Sequence, residues 1–109
     1  MKDLILYSHP DCLLKENGTN HPERKERLEA VFKSVNELEE ITIKNKTSSL
    51  ANIKDITLVH QKEYINNVFL KIPDSGLITL EEEPYADTFL CPNSKNAILR
   101  SCGAGISAA

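Results

Sequence analysis

Several things are scarce in this 109-residue sequence, and each absence removes a class of function. No apolar run approaches the ~20 residues needed to span a bilayer, so no transmembrane segment is expected. The N-terminus, Met1 to Ser8, has one short apolar stretch followed by His9 and Pro10, without the longer apolar region or small-residue cleavage site of a signal peptide. Three cysteines, Cys12, Cys91 and Cys102, are too few and too widely spaced for a disulfide scaffold, which makes a reducing cytoplasm the default location. Without a secretory signal, the glycosylation-like triplets at Asn17 and Asn45 read as turns. There is no excess of positive charge. Thirteen Lys and Arg against sixteen Asp and Glu leave a formal −3, which argues against nucleic acid or an anionic membrane as partner. Internal repeats, low-complexity tracts, a P-loop, G-x-G-x-x-G, CxxC, G-x-S-x-G and H-E-x-x-H are all missing.

What remains is an ordinary globular composition, 40% hydrophobic and 27% charged, of a size that suits one domain. Leu4 to Tyr7 is a compact apolar run that suits a buried strand. His9 to Asn20 reads as a loop with an Asn17-Gly18 turn signal. Pro22 suits a helix start, and Glu23 and Glu26 suit the positive end of its dipole. Leu28, Val31, Phe32, Val35 and Leu38 then follow helical spacing on one face. Ile41–Ile43 predicts a second strand, Ser48 to Ile53 one or two helical turns, and Ile56–Val59 a third strand ending at His60. A helix burying Tyr64, Ile65, Val68 and Phe69 should follow, and then a loop from Ile72 to Glu83 with a short extended piece. Short strands alternating with helices predict an α/β layered fold with a mainly parallel sheet. From Ser94 onward small and apolar residues surround the helical wheel, as in a helix buried on several sides, and the chain stops at Ala109 without a capping glycine or polar tail. That ending predicts a chain cut short.

Few residues stand out chemically. His9, Cys12 and His21 are potential metal ligands, but H-x2-C-x8-H matches no usual zinc pattern and lacks a fourth ligand. His60 follows a predicted strand, a common position for functional groups in parallel sheets. Asp87, behind Glu81-Glu82-Glu83, reads either as part of a solvated acidic loop or as a carboxylate that accepts hydrogen bonds from a ligand. Gly103-x-Gly105 lies inside the last helix, so it is no phosphate cradle.

Three phrases in order carry more. His21-Pro22-Glu23-Arg24-Lys25-Glu26-Arg27-Leu28 resembles H-P-E-R-P-x-R-L near the start of the histone deacetylase superfamily, which includes acetoin-utilisation proteins and acetylpolyamine amidohydrolases. Leu58 to Ile65 is similar to that family's L-x-x-V-H-x-x-x-Y-V phrase in loose form. Asp87-Thr88-Phe89, with Cys91 to Ser94 and Ala97 to Gly103, is similar to its D-T-x-x-x-x-x-S segment leading into an Ala/Gly-rich helix. Lys25 replaces the usual proline, and Cys91 a small polar residue.

The resemblance implies part of a three-layer α/β/α, arginase/deacetylase-like fold, and a parent that removes acetyl groups from lysine or polyamine amines with a zinc-activated water. Family members run to about twice this length or more, near the upper range of a single domain. Their zinc ligands lie in G-H-H and D-x-H phrases that do not occur here. Residues 1–109 are therefore expected to be the N-terminal part of such a domain, ending before the zinc site, inactive alone and without zinc. Asp87 matches the rim aspartate that accepts hydrogen bonds from the substrate backbone, a task suited to an acceptor-only group. Arg27 matches an arginine beside an internal channel for acetate release, and reads equally as a helix salt-bridge residue. His9, Cys12 and His21 fall near a structural zinc loop of one subclass, with different spacing and without its second cysteine. His21 and His60 are expected to hold loop backbones by hydrogen bonds. The expected partners are the acetylated amine in the parent and, for this chain, a second copy or a completing partner. A small α/β binding or interaction module is the alternative reading, and the coding sequence beyond Ala109 would separate the two.

Overall fold

The computed structural model describes residues 2–109. Strand β1 (Lys2–Ser8) is followed by a single 3-10 turn (Pro10–Leu13), helix α1 (Lys25–Asn36) and strand β2 (Ile41–Thr47). Short helix α2 (Ile53–Ile56) and helix α3 (Lys62–Leu70) come next, then two-residue strands β3 (Ile78–Thr79) and β4 (Phe89–Leu90) and the long helix α4 (Ser94–Ala108). β1 and β2 pair in parallel along their whole length, from Lys2 opposite Ile41 to Ser8 opposite Thr47. β3 and β4 form a minimal antiparallel pair. The chain is thus a mixed α/β structure with a small parallel sheet, and no helix of the described residues is long and apolar enough to cross a membrane.

The third predicted strand is corrected. Ile56 ends α2, and Thr57 to Val59 form a turn, with the Thr57 N–H donating to the Ile53 carbonyl and the His60 N–H to that of Ile56. Strand preference of Ile, Thr and Val is weak and depends on having a sheet to join. Here the Asn52 side chain accepts the Lys54 N–H at 3.1 Å and caps a helical turn instead. The helical turns expected over Ser48 to Ile53 begin only at Ile53, after this cap.

α1 starts three residues later than Pro22 suggested. The His21 ring accepts the Glu23 N–H at 3.0 Å and Arg24 is extended, so residues 22–24 bend before the helix begins. The turn expected at Asn17-Gly18 falls at Thr19 and Asn20, with Gly18 at φ +88, where a side chain would be strained, and Asn20 at φ +61.

Burial is uneven. Ala51, Ile56, Ile65 and Leu99 form the main cluster, with Ile53 and Phe69 against it. Leu90, Cys91, Ser94 and Ala97 are buried where β4 runs into α4. α4 comes close because Gly103 has no side chain, and a Cβ there would lie 1.8 Å from the Ser49 carbonyl oxygen. By contrast α1, β1 and β2 contain no fully buried residue. Leu4 and Ile5 are 41% and 46% exposed. The radius of gyration of 15.7 Å exceeds the roughly 13 Å of a compact domain of this length.

Candidate functional site

Asp87 stands on a loop that its neighbours hold rigidly. Glu81 accepts the Asp87 N–H at 3.2 Å, the Thr88 N–H at 2.9 Å and the Thr88 hydroxyl. Those bonds, the Thr88 hydroxyl first, hold the Glu81 carboxyl down at about 2, against an ordinary 4.5. From the other side His21 Nε2 lies 3.0 Å from the Asp87 carbonyl oxygen. Because His21 Nδ1 already accepts the Glu23 N–H, the network assigns the ring proton to Nε2, which donates to Asp87. The ring also meets Phe89 edge to face, with centroids 5.5 Å apart. The Asp87 backbone is therefore fixed on both sides, while its side chain is 89% exposed and 3.4 Å from His21 Nε2. Chemically this is a preorganised acceptor facing solvent.

Arg27 lies on the first turns of α1. Its guanidinium donates to Glu23 at 3.1 Å, an i,i+4 pair on a half-exposed surface. It also lines an open cleft of about 500 Å³ bordered by α1, the end of β1, the 3-10 turn and α4. Leu28 and Phe32 give this cleft an apolar wall, while Arg24, Lys25 and Lys15 bring further cationic groups to it. Ser48 lines it too, and its hydroxyl is buried without a protein hydrogen-bond partner. Such an orphaned hydroxyl is uncommon in a folded protein.

The potential metal ligands are employed otherwise. His9 Nδ1 accepts the Asp11 N–H at 3.0 Å and caps the 3-10 turn. The Cys12 thiol donates to the Ala97 carbonyl at 3.8 Å, and burial, reinforced by Asp11, pushes its pKa up. His21 is at the Asp87 loop. Among the described residues, no group of three or more His, Cys, Asp or Glu is arranged to hold a metal ion. His60 is exposed and rests its ring on Tyr64, with centroids 5.7 Å apart, an aromatic contact where a hydrogen bond to loop backbone was expected.

Three residues here escaped the sequence reading. Glu81 sits in a run of three glutamates that reads as a solvated face. Arg100 joins distant segments: Nε meets Asp11 at 3.2 Å and Nη1 the Ser48 carbonyl at 3.0 Å. Its signal was a charge in the middle of a helix whose other charged residue, Lys95, lies in the first turn. Cys91 is buried beside Ser94; burial pushes its thiol up, but the Glu16 N–H, the Ser94 hydroxyl and nearby Lys15 outweigh that and bring it down.

A search of the curated proteins finds no match. The family model of the histone deacetylase domain matches residues 21–109, which takes in the His21 bracket, Arg27, the Asp87 loop and all of α4. The chain belongs to the histone deacetylase domain family.

Proposed function

We propose that this chain supplies the substrate-holding part of a deacetylase-type hydrolase and does not hydrolyse amides by itself. The parent reaction is removal of an acetyl group from a lysine or polyamine amine, giving the free amine and acetate. β1 and β2 then belong to the parallel sheet of a three-layer α/β/α, arginase/deacetylase-like fold. The supporting observation is the Asp87 loop, where a backbone fixed by Glu81 and His21 aims an exposed carboxylate outward. A carboxylate so placed accepts N–H donors from a substrate backbone with little ordering left to do.

Arg27 is the second residue of this reading. With Ser48 it places a cation and an unpaired hydroxyl on one cleft, donors that suit a small carboxylate such as acetate. Zinc supplies the activated water in the family; its ligands are not among these residues, so this chain binds and positions only.

The test is a titration of the chain with an acetyl-lysine peptide, followed by amide NMR. The expected result is saturable shifts at Asp87 and Thr88 that disappear in Asp87→Ala, with no acetate released. Chelator-sensitive acetate release that survives repurification would overturn the inactivity, and shifts unchanged in Asp87→Ala would overturn the role of Asp87.

A further inference from the structure

Two histidines in this chain make the same local bracket. His9 and His21 each precede a proline and an acid, and each Nδ1 accepts the backbone N–H two residues on, from Asp11 and from Glu23, at 3.0 Å. They differ in what else lies within reach. At His9 the Asp11 carboxylate is 3.2 Å from Nδ1 itself, so a protonated ring exchanges one partner for another in place. At His21 the Glu23 carboxylate is paired with Arg27 at 3.1 Å, so a protonated Nδ1 is left facing another donor, the Glu23 N–H.

The His21 ring is 15% exposed and sits among charges of both signs. From the loop, the Asp87 carbonyl oxygen is 3.0 Å and the Asp87 carboxylate 3.4 Å from Nε2. Glu81, which accepts the Asp87 N–H, stays ionised in mild acid because its carboxyl is held at about 2. On the helix side, Arg24, Glu26 and Arg27 share a shallow hollow with His21. β4 brings the uncharged Phe89 ring. Histidine is the side chain that changes charge between about pH 5 and 8. When it does, both ring nitrogens become donors. The bond to the Glu23 N–H is then lost at one end of the ring. At the other, a charged N–H turns the approach to the Asp87 carboxylate into a charge-assisted bond.

We propose that His21 is a positioning residue that works as a proton-operated latch on the Asp87 carboxylate. Neutral, the ring holds the Asp87 backbone and leaves the carboxylate in solvent, free to accept from a substrate. Protonated, it releases the Glu23 N–H and binds the carboxylate, which withdraws the acceptor. The latch follows from the ring geometry alone, whereas its consequence for substrate rests on the role of Asp87 as substrate acceptor. Mild acid should therefore weaken substrate binding while the rest of the fold stays in place.

An NMR titration of the unaltered chain from about pH 8 to about pH 5 tests the latch without any ligand and without any variant. The Glu23 amide and the Asp87 carboxyl carbon should both move with the midpoint of the His21 ring resonances. In His21→Gln, which cannot take up the charge, both responses should disappear while the α4 amides stay in place. A Glu23 amide or an Asp87 carboxyl carbon indifferent to the His21 midpoint would overturn the latch. The consequence is read by titrating an acetyl-lysine peptide at both ends of the range. Binding to the unaltered chain should be about tenfold weaker in acid, as for a lost bond to a charged acceptor, and His21→Gln should bind equally at both. Equal binding by the unaltered chain, or an acid loss that persists in His21→Gln, would overturn the control of substrate by His21. Absence of peptide binding at both pH values would instead overturn the substrate role of Asp87, and the two resonances would still decide the latch.

Discussion

The half of the molecule built on α2, α3 and α4 and the half built on β1, β2 and α1 have similar apolar content and opposite fates. In the first half, Ile56, Ile65 and Leu99 close over one another, and α4 comes within backbone contact distance of the segment before α2. In the second, α1 carries a regular apolar stripe, yet Val31 is 44% exposed and Leu28 and Phe32 face a cleft instead of a packed layer. Amphipathic spacing creates a demand for burial. Only a second surface meets it.

That contrast can be broken or sharpened by mutation. The largest effect is expected at the packed end. Leu99→Ala should cost about 2–5 kcal/mol in urea unfolding, as a large-to-small change in a closed core. Val31→Ala on α1 should stay within about 0.5 kcal/mol, as surface changes do. Equal costs would mean that the two halves are packed alike.

Next come the two glycines of α4. A methyl at Gly103 meets the backbone of Ser49 and has no room, so Gly103→Ala should destabilise by about 1–3 kcal/mol or more. At Gly105 nothing lies within 4 Å, and Gly105→Ala should stabilise by about 0.5–1 kcal/mol through helix preference alone. Thermal melts of the two variants should move in opposite directions.

The seam between the halves is Arg100, whose guanidinium reaches both Asp11 and the Ser48 carbonyl. Arg100→Met keeps the stem and removes these bonds, for an expected loss of about 1–2 kcal/mol. The increased hydrogen exchange should appear at the 3-10 turn and the end of β2, with α3 unchanged.

The smallest effect concerns the Asp87 loop and acid. Glu81 titrates at about 2 in the folded chain, below its ordinary 4.5, so its hold on Thr88 stabilises the loop fully above that ordinary value. The contribution fades as pH falls from there toward 2. The Thr88 amide resonance should shift with a midpoint near the lower value, and Glu81→Gln should abolish that titration while leaving the α4 amides in place.

Much of this was legible along the chain. The helical spacing after Arg24 and the small-residue helix from Ser94 rest on local pattern, the parallel pairing of the first two strands follows from the helix between them and joins residues 39 apart, and the three phrases around His21, His60 and Asp87 carried the family. The expected hydrogen-bonding role of His21 is present, because a histidine two residues before Glu23 meets that N–H locally. Ile56–Val59 failed as a strand for the opposite reason: its composition fits either state, and Asn52 together with burial of Ile56 decided for a turn.

By itself, then, the sequence determined the elements whose hydrogen bonds close within a few residues, and the order of the phrases that identify the family. Tertiary structure alone decided that Glu81 reaches seven residues on to Thr88, and that Arg100 spans 89 residues to Asp11. It also decided that Gly103 fits against Ser49 and that the Ser48 hydroxyl is left unpaired beside a cleft. Each of these depends on which surfaces meet. An amino-acid pattern states what a face needs, but the packing of distant segments fixes what that face finds.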